Sequence, residues 1–416
     1  MVRVLFLRLL STLTLLFLSG TLSHAEDKKT EPKIDISSVV KGNNEFAFDL
    51  YRQLAKEAKP NENILFSPYS ISAAMAMVYG GSEGEAAEQI AKVMHYDRDQ
   101  EKFHPAFAEL TRQLMLGEDF KGELSIANAI WMDHVLKLRD PFEKLMTINY
   151  DGAMQRVQFE ASELVRKKVN EWISDKTKKQ IVSLLPERSI TRQTKIILTN
   201  AIFFKGEWQY QFDPKMTSKG IFNTKEGKKQ ESDFMHQVQR YPCFETDLAT
   251  IATLPFSGNR LIVTIFFPTH RDAMTKFEEQ LSIKTLNETQ KNSTPALVDL
   301  RMPRFRYFVN SEIKRTLVDL GVHSIVKNSS FNIAFKELDT PVNITSIFHC
   351  AAFEVTEQGA QGAAVTAVRG ARPVSGVIGT SQLVALHLDR PFIFTVSHTE
   401  TGQILFIGRI AHLSIE

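Results

Sequence analysis

The chain has 416 residues, with 50 Lys+Arg against 48 Asp+Glu, 43% hydrophobic residues, 20 Gly and 15 Pro. That composition excludes a collagenous, low-complexity or largely disordered chain, and the near-balanced charge argues against a strongly basic nucleic-acid binder. The 29 Phe residues promise a large apolar core.

Residues 1–25 read as a secretory signal peptide. Arg3 and Arg8 make a positive start, Leu9 to Leu18 is an uncharged Leu-rich run, and Ser23-His24-Ala25 sets small residues around a cut after Ala25. The run is too short for a spanning helix, and no later stretch approaches the roughly 18 apolar residues one needs. The expectation is therefore a secreted, extracellular protein with no membrane partner. Removing Arg3 and Arg8 leaves 48 basic against 48 acidic residues. Only two cysteines exist, Cys243 and Cys350, so an exported chain of this length rests on its core rather than on staples. They are either bonded or two free buried thiols, and neither stands in a metal-binding or nucleophilic context. Asn287, Asn292, Asn328 and Asn343 each open an Asn-X-Ser/Thr triplet and are the glycosylation candidates, with Asn343 in an apolar stretch.

Residues 26–42 read as a polar lead-in. From Asn43 the run FAFDLYRQLAKEA has apolar residues at helical spacing and ends near Pro60. Phe66-Ser67-Pro68-Tyr69-Ser70 leads into ISAAMAMVYGG, a helix apolar on nearly every side and therefore buried. Helical spacing resumes after Ser82, at 103–116 and at 162–178. Strands are predicted at 124–131, 195–204, 250–256, 260–268, 297–301, 349–357, 392–397 and 404–410, the last two joined by Thr401-Gly402. Helices dominate early and strands late, without βαβα alternation, so the class is α+β in one domain over 43–416.

Between the strand ending near Glu357 and the one beginning at Pro391 lies a segment with no regular pattern of its own, and such long loops are usually functional. At period two, Ala360, Gly362, Ala364, Thr366, Val368 and Gly370 fall on one side, all small and uncharged. Gln361, Ala363, Val365, Ala367, Arg369 and Ala371 fall on the other. Two readings stay open on composition alone: a strand held in reserve, or a flexible Gly/Ala linker.

The stretch Glu354 to Val368 closely resembles the hinge of serpins, and Asp389-Arg390-Pro391-Phe392-Ile393-Phe394 resembles that family's signature beyond the reactive loop. Asn63 to Ser72, Val169-Asn170-Glu171-Trp172, Thr199 to Trp208 and Met302-Pro303-Arg304-Phe305 are similar to further family motifs, so the resemblance runs from about 43 to 412. It implies three β-sheets with eight or nine helices and an exposed reactive-centre loop at about 358–388. It also implies suicide inhibition of a serine endopeptidase of unknown class: the target cuts the loop, forms an acyl-enzyme, and is trapped as the loop inserts into the large sheet. Serpin loop insertion is itself a standard example of strand addition to a sheet and of stored strain released by a cut.

Site residues follow from the same resemblance. The hinge would be Glu357, Gly359, Ala360, Gly362, Ala363, Ala364 and Thr366, free of the bulk and charge that would oppose insertion. Ala360 stands where the family usually has Thr or Ser. Ser67, Ser70, Asn200 and His349 match the shutter under the sheet, where a buried histidine would make opening pH-sensitive; a plain core histidine is the other reading. Trp208 matches the breach, or is simply a core aromatic. Counting 16 residues from Glu357 lands on Pro373. Val374-Ser375 is favoured as the reactive bond, with Arg372-Pro373 second, because proline distorts the approach to the latter. A non-inhibitory carrier or chaperone on the same fold, or an inhibitor of a papain-like cysteine protease, is the alternative function.

A conventional hydrolase finds no support: no GxSxG, HExxH or GxxxxGK[ST] pattern occurs. The helix at 103–116 carries Arg112 and little other positive charge, and the Lys/Arg run of 166–179 is interleaved with Glu163, Glu171 and Asp175. Glycosaminoglycan binding is thus not expected. No cofactor, metal or nucleic-acid partner is implied, and a monomer is expected.

Overall fold

The computed structural model describes residues 34–115, 120–151, 153–326, 331–336, 342–359 and 383–413. The chain divides into two units, Met1–Ile34 and Asp35–Glu416, and the elements below belong to the second. The leader, Asn328, Ala360, Gly362, Ala363, Ala364, Thr366 and the reactive-bond candidates at 372–375 lie outside the described residues.

In chain order the elements are α1 (Ser37–Glu57), β1 (Ile64–Phe66), α2 (Pro68–Gly80), α3 (Gly84–Met94), α4 (Gln100–Gln113), β2 (Gly122–Asp133), α5 (Asp140–Asn149) and β3 (Met154–Val157). Then come α6 (Ser162–Lys176), β4 (Ile196–Gly206), β5 (Ser218–Asn223), β6 (Lys229–Glu245), β7 (Ala249–Pro255), β8 (Leu261–Pro268), α7 (Ala273–Gln280) and α8 (Ile283–Asn292). The chain closes with β9 (Thr294–Pro303), β10 (Phe305–Glu312), α9 (Lys314–Asp319), β11 (Ile344–Val355), β12 (Leu383–His387), β13 (Phe392–His398) and β14 (Ile404–Ile410).

One sheet has the order β10-β11-β4-β2-β3. The other strands form a continuous nine-stranded sheet, β1-β14-β13-β8-β7-β6-β9-β12, with β5 on β6. Two groups meet in it through one long strand. The body of β6 pairs with β5 and β9, and only Cys243 to Glu245 pair with β7. The three expected sheets are thus present, two of them joined by β6.

The five-stranded sheet is buried on both faces. Ile196, Leu198, Ile202 and Phe204 of β4 enter the main core, whereas Ile197, Ala201 and Phe203 point to a second cluster with Val165, Val169 and Ile173 of α6. That double burial is why β4 reads as an unbroken apolar run. Helix α2 packs on the main-core face of β4 and is buried from Pro68 to Tyr79.

Three sequence expectations are corrected. The polar lead-in ends six residues early, because α1 starts at Ser37 and buries Val39 and Val40. Gly42 is also buried there, at a spot where a Cβ would stand 2.2 Å from the carbonyl oxygen of His95. The reactive loop, expected to reach 388, ends sooner, since Leu383 to His387 form β12, parallel to β9. At its other end, Gln358 and Gly359 belong to a tight turn rather than to the loop.

Candidate functional site

A polar row crosses the five-stranded sheet on the face covered by α2. His349 of β11 is the register partner of Asn200 on β4, and Asn200 of Asn128 on β2. Above them stands the N-terminus of α2, where Ser67 is the cap: its hydroxyl accepts from the Ser70 N–H at 3.2 Å. The Ser67 N–H donates to Nε2 of His349 at 3.2 Å, which leaves Nδ1 to donate to the Asn200 side-chain oxygen. Asn200 in turn donates to Ser70, and the Ser70 hydroxyl donates to Asn128 at 3.1 Å. The structure therefore brings Ser67, Ser70, Asn200 and His349 together and adds Asn128. Sequence reasoning missed Asn128 inside the apolar-looking run LSIANAIW, although a polar residue among core-facing positions was a signal.

His349 is buried, and burial alone pushes its pKa down to about 3. The ring accepts at one nitrogen and donates at the other, as a neutral imidazole must. A charge switch at this cluster near neutral pH, which the sequence had suggested, is thus overruled by desolvation.

At the end of β4 the chain leaving β11 turns back on itself. Thr356 and Gly359 exchange backbone hydrogen bonds of 2.9 and 3.1 Å, and Gly359 bridges to Glu207. Gly359 has φ +127, and a Cβ there would lie 1.9 Å from the Gly206 carbonyl oxygen, so only glycine fits. Trp208 holds the turn: its indole N–H donates to the Thr356 carbonyl at 2.9 Å and its backbone N–H to Gln358 at 2.9 Å. The ring stacks on Phe256 at 4.6 Å. Glu357 is buried and accepts from Arg304 at 2.7 Å and from the Thr217 hydroxyl at 2.6 Å. Burial raises its pKa, but the Arg304 and Thr217 hydrogen bonds outweigh that and hold the carboxyl below its ordinary value.

The turn lies at the end of a particular seam. In the order β10-β11-β4-β2-β3, β11 and β4 are neighbouring parallel strands, in register from Ile344/Ile196 to Phe353/Phe204. A chain reversed after β11 runs antiparallel to both. Between two parallel strands, a single strand of that direction can pair antiparallel on each side.

The other expected positions are spread over the surface and core. Cys243 and Cys350 are free and buried in different sheets; burial pushes the Cys243 thiol up to about 11 and the Cys350 thiol higher still. Asn287 and Asn292 are exposed on α8, whereas Asn343 is half-buried. Arg112 on α4 is tied to Glu109 at 2.6 Å. Lys167 and Lys168 on α6 are exposed. Among the described residues, Asp133, His134 and Glu160 group their ligand atoms within 4.8 Å, but the buried Asp133 carboxylate is already balanced by Lys195 at 3.3 Å.

Comparison with known proteins gives concordant results. The pattern of the family described as serpin (serine protease inhibitor) matches residues 41–413. An uncharacterised serpin-like protein of Methanosarcina acetivorans is 32% identical over 422 residues, covering 98% of this chain and 96% of its own. Antithrombin-III of Homo sapiens is 28% identical, covering 93% and 86%. Among solved structures, the thermophilic serpin tengpin in its native state superposes with a TM-score of 0.81 at 23% identity, covering 92% of this chain and 96% of that one. Thyroxine-binding globulin in complex with thyroxine gives 0.80 at 23%, covering 91% and 100%.

Proposed function

The chain belongs to the serpin family, and from that premise we propose that it is a secreted suicide inhibitor of a serine endopeptidase. The parallel pair β4–β11, with a reversing turn clamped over its end, carries this reading. In the proposed reaction the protease's serine oxygen attacks a carbonyl in the 360–382 segment, and the peptide bond breaks. The new amino terminus leaves with its proton, and the loop stays bound through an ester. The freed upstream segment then enters the seam before water can cleave that ester. Residues 360–373 would make roughly 45 Å of strand at ~3.3 Å each, the order of a sheet's full depth. The small, uncharged side chains at 360–370 on one side suit a slot that is buried on both faces. Export is supported by the leader-like residues 1–25, and by Asn287 and Asn292 standing exposed for glycosylation.

A carrier role is the second reading, because thyroxine-binding globulin shares this fold. One experiment separates them. The purified protein is incubated with elastase, chymotrypsin, trypsin and a papain-like protease, followed by denaturing gels and mass spectrometry. A covalent band at the summed mass supports inhibition, and the N-terminus of the released C-terminal fragment identifies the reactive bond, expected at Val374-Ser375. A covalent band with the cysteine protease alone moves the target class. Cleavage by every protease with no covalent band removes the inhibitory reading in favour of the carrier.

A further inference from the structure

Strands β12, β9 and β6 turn one side of their sheet outward, next in the chain to the 360–382 segment. Register fixes what stands there: Leu383, Ala385 and His387 on β12, Leu297, Asp299 and Arg301 on β9, and Arg240, Val238 and His236 on β6. The opposite side sends Leu386, Val298, Leu300 and Met235 into the core. Leu383 and Val238 are more than half exposed, and Ala385, Arg240 and Arg301 are exposed, so the outer side is open. At its His236–Arg301–His387 end a groove separates the strands from the 215–221 stretch, whose Lys215, Met216 and Ile221 line the other wall.

The charges on this face fall into two sets. The acids are engaged: Asp299 with His236 at 2.8 Å and His387 at 3.3 Å, Asp389 with Arg390 at 2.9 Å, and Asp233 with Lys219 at 2.9 Å. Asp213 accepts from the Lys215 backbone N–H at 2.9 Å. Lys215, Arg240 and Arg301 are exposed and stand in no ion pair among the described residues. Free cations around an apolar strip suit a partner that presents carboxylates, which a guanidinium can take two at a time.

We propose that this face is a second contact for the protease that cuts the loop, and that the protease carries carboxylates on the rim of its cleft. Chain length assigns the partner. From Ser375, just past the favoured bond, to Leu383 is eight residues, which span at most ~28 Å. A protease domain of about 230 residues is roughly 45 Å across, so one seated on that bond lies over β12 and its neighbours. The inhibitory reading above supplies only the partner's identity, since a protease that merely digests the loop would dock in the same way. Selection then has two parts: the loop sequence chooses the cleft, and Lys215, Arg240 and Arg301 choose the charge of its rim. Attraction of this kind acts mainly on the rate of encounter.

Trypsin, which can cut after Arg369, tests the contact in two forms: native, and with its lysines succinylated so that each ammonium becomes a carboxylate. Both forms are normalised on a small arginine ester. The measured quantity is the second-order rate at which intact protein is consumed, with cleaved and covalently bound products counted together. At about 50 mM salt the succinylated enzyme should act about threefold to tenfold faster than the native one, and the gap should close near 1 M, where the screening length is ~3 Å. Arg240→Glu/Arg301→Glu should abolish or reverse the gap, and Arg240→Ala/Arg301→Ala, the milder change, should shrink it. Lys167→Glu/Lys168→Glu on α6 makes the same change of net charge elsewhere and should preserve it. No gap in the wild type, or a gap untouched by both Arg240/Arg301 variants, would overturn the proposal. So would an equal loss in the Lys167/Lys168 variant, because net charge alone would then steer the encounter. Retention on heparin that disappears in Arg240→Glu/Arg301→Glu while the gap persists would give the face to a sulfated polyanion instead. The share of product that is covalent is read separately: its absence removes the inhibitory reading and leaves the contact to stand on the gap.

Discussion

The carboxylate of Glu357 ties three parts of the chain together, meeting Arg304 just before β10 and Thr217 just before β5 while its own backbone carbonyl accepts from the Phe212 N–H at 2.9 Å. Arg304 is part-exposed, so the pair is worth less than a fully buried one. Glu357→Gln should cost about 1–2 kcal/mol at pH 7, mostly through the lost charge on the Arg304 hydrogen bonds. Because the folded-state carboxyl is depressed, its contribution is full above the unfolded pKa and is lost as pH falls through the folded one. Urea midpoints of wild type and variant should therefore differ at pH 7 and converge as pH falls through the depressed folded-state pKa; coincident midpoints at pH 7 would mean that the pair contributes nothing. Two residues on, Gly359→Ala meets a different obstacle. At φ +127 a side chain is strained, and the Cβ would collide with the Gly206 carbonyl. The turn must open, so the variant should lose about 2–3 kcal/mol and release Trp208 from its bond to Thr356. A red-shifted tryptophan emission in the folded variant would report that release, and an unshifted spectrum would show that the turn survives.

At the scale of elements, the seam between β4 and β11 can be locked chemically. Ala201 and Cys350 are register partners with side chains in the same buried cluster, and neighbouring strands put their Cα atoms about 4.8 Å apart, within disulfide range. Oxidised Ala201→Cys should keep the strands from parting. After the exposed loop is nicked, the oxidised variant is expected to melt where its uncut form melts, and the reduced variant to melt higher. Equal gains in both forms would place insertion elsewhere than this seam. The strands flanking the seam were legible in the sequence because double burial makes them continuous apolar runs, and α2 was legible for the same reason. The strands that escaped notice were β1, β3, β5, β6, β10 and β12. In β10, FRYFVNSE buries Phe305 and leaves every second residue exposed, and β6 is largely polar along its 17 residues. One-sided strands carry half the apolar signal, and β12 has only Leu386 fully buried. The shutter and breach positions were found through resemblance. Asn128, which joins the shutter, and Thr217, which meets Glu357, lie far in sequence from their partners, and such pairings follow from the register and path of the folded chain, which local periodicity does not contain.

For the molecule as a whole, the proposed mechanism requires that the uncut fold not be the most stable arrangement of this chain. The seam now holds one parallel ladder, and a strand entering it would replace that ladder with two antiparallel ones. The gross gain is of the order of 14 backbone hydrogen bonds at ~0.5–1.5 kcal/mol each, opposed by the entropy of ordering the same residues. Insertion works only if a net gain survives that cost, because this surplus is what outruns hydrolysis of the ester. A net 5 kcal/mol would raise the melting temperature by about 6 °C in a domain of this size. The measurement is differential scanning calorimetry of the protein before and after a single nick between residues 369 and 381, made with any endopeptidase that leaves the rest intact. A rise of that size, with circular dichroism showing added strand, fits a fold held short of its minimum by an uncut loop. A nicked protein that melts at or below the uncut temperature has no surplus with which to trap a protease, and the small side chains of 360–370 would then be no more than a linker.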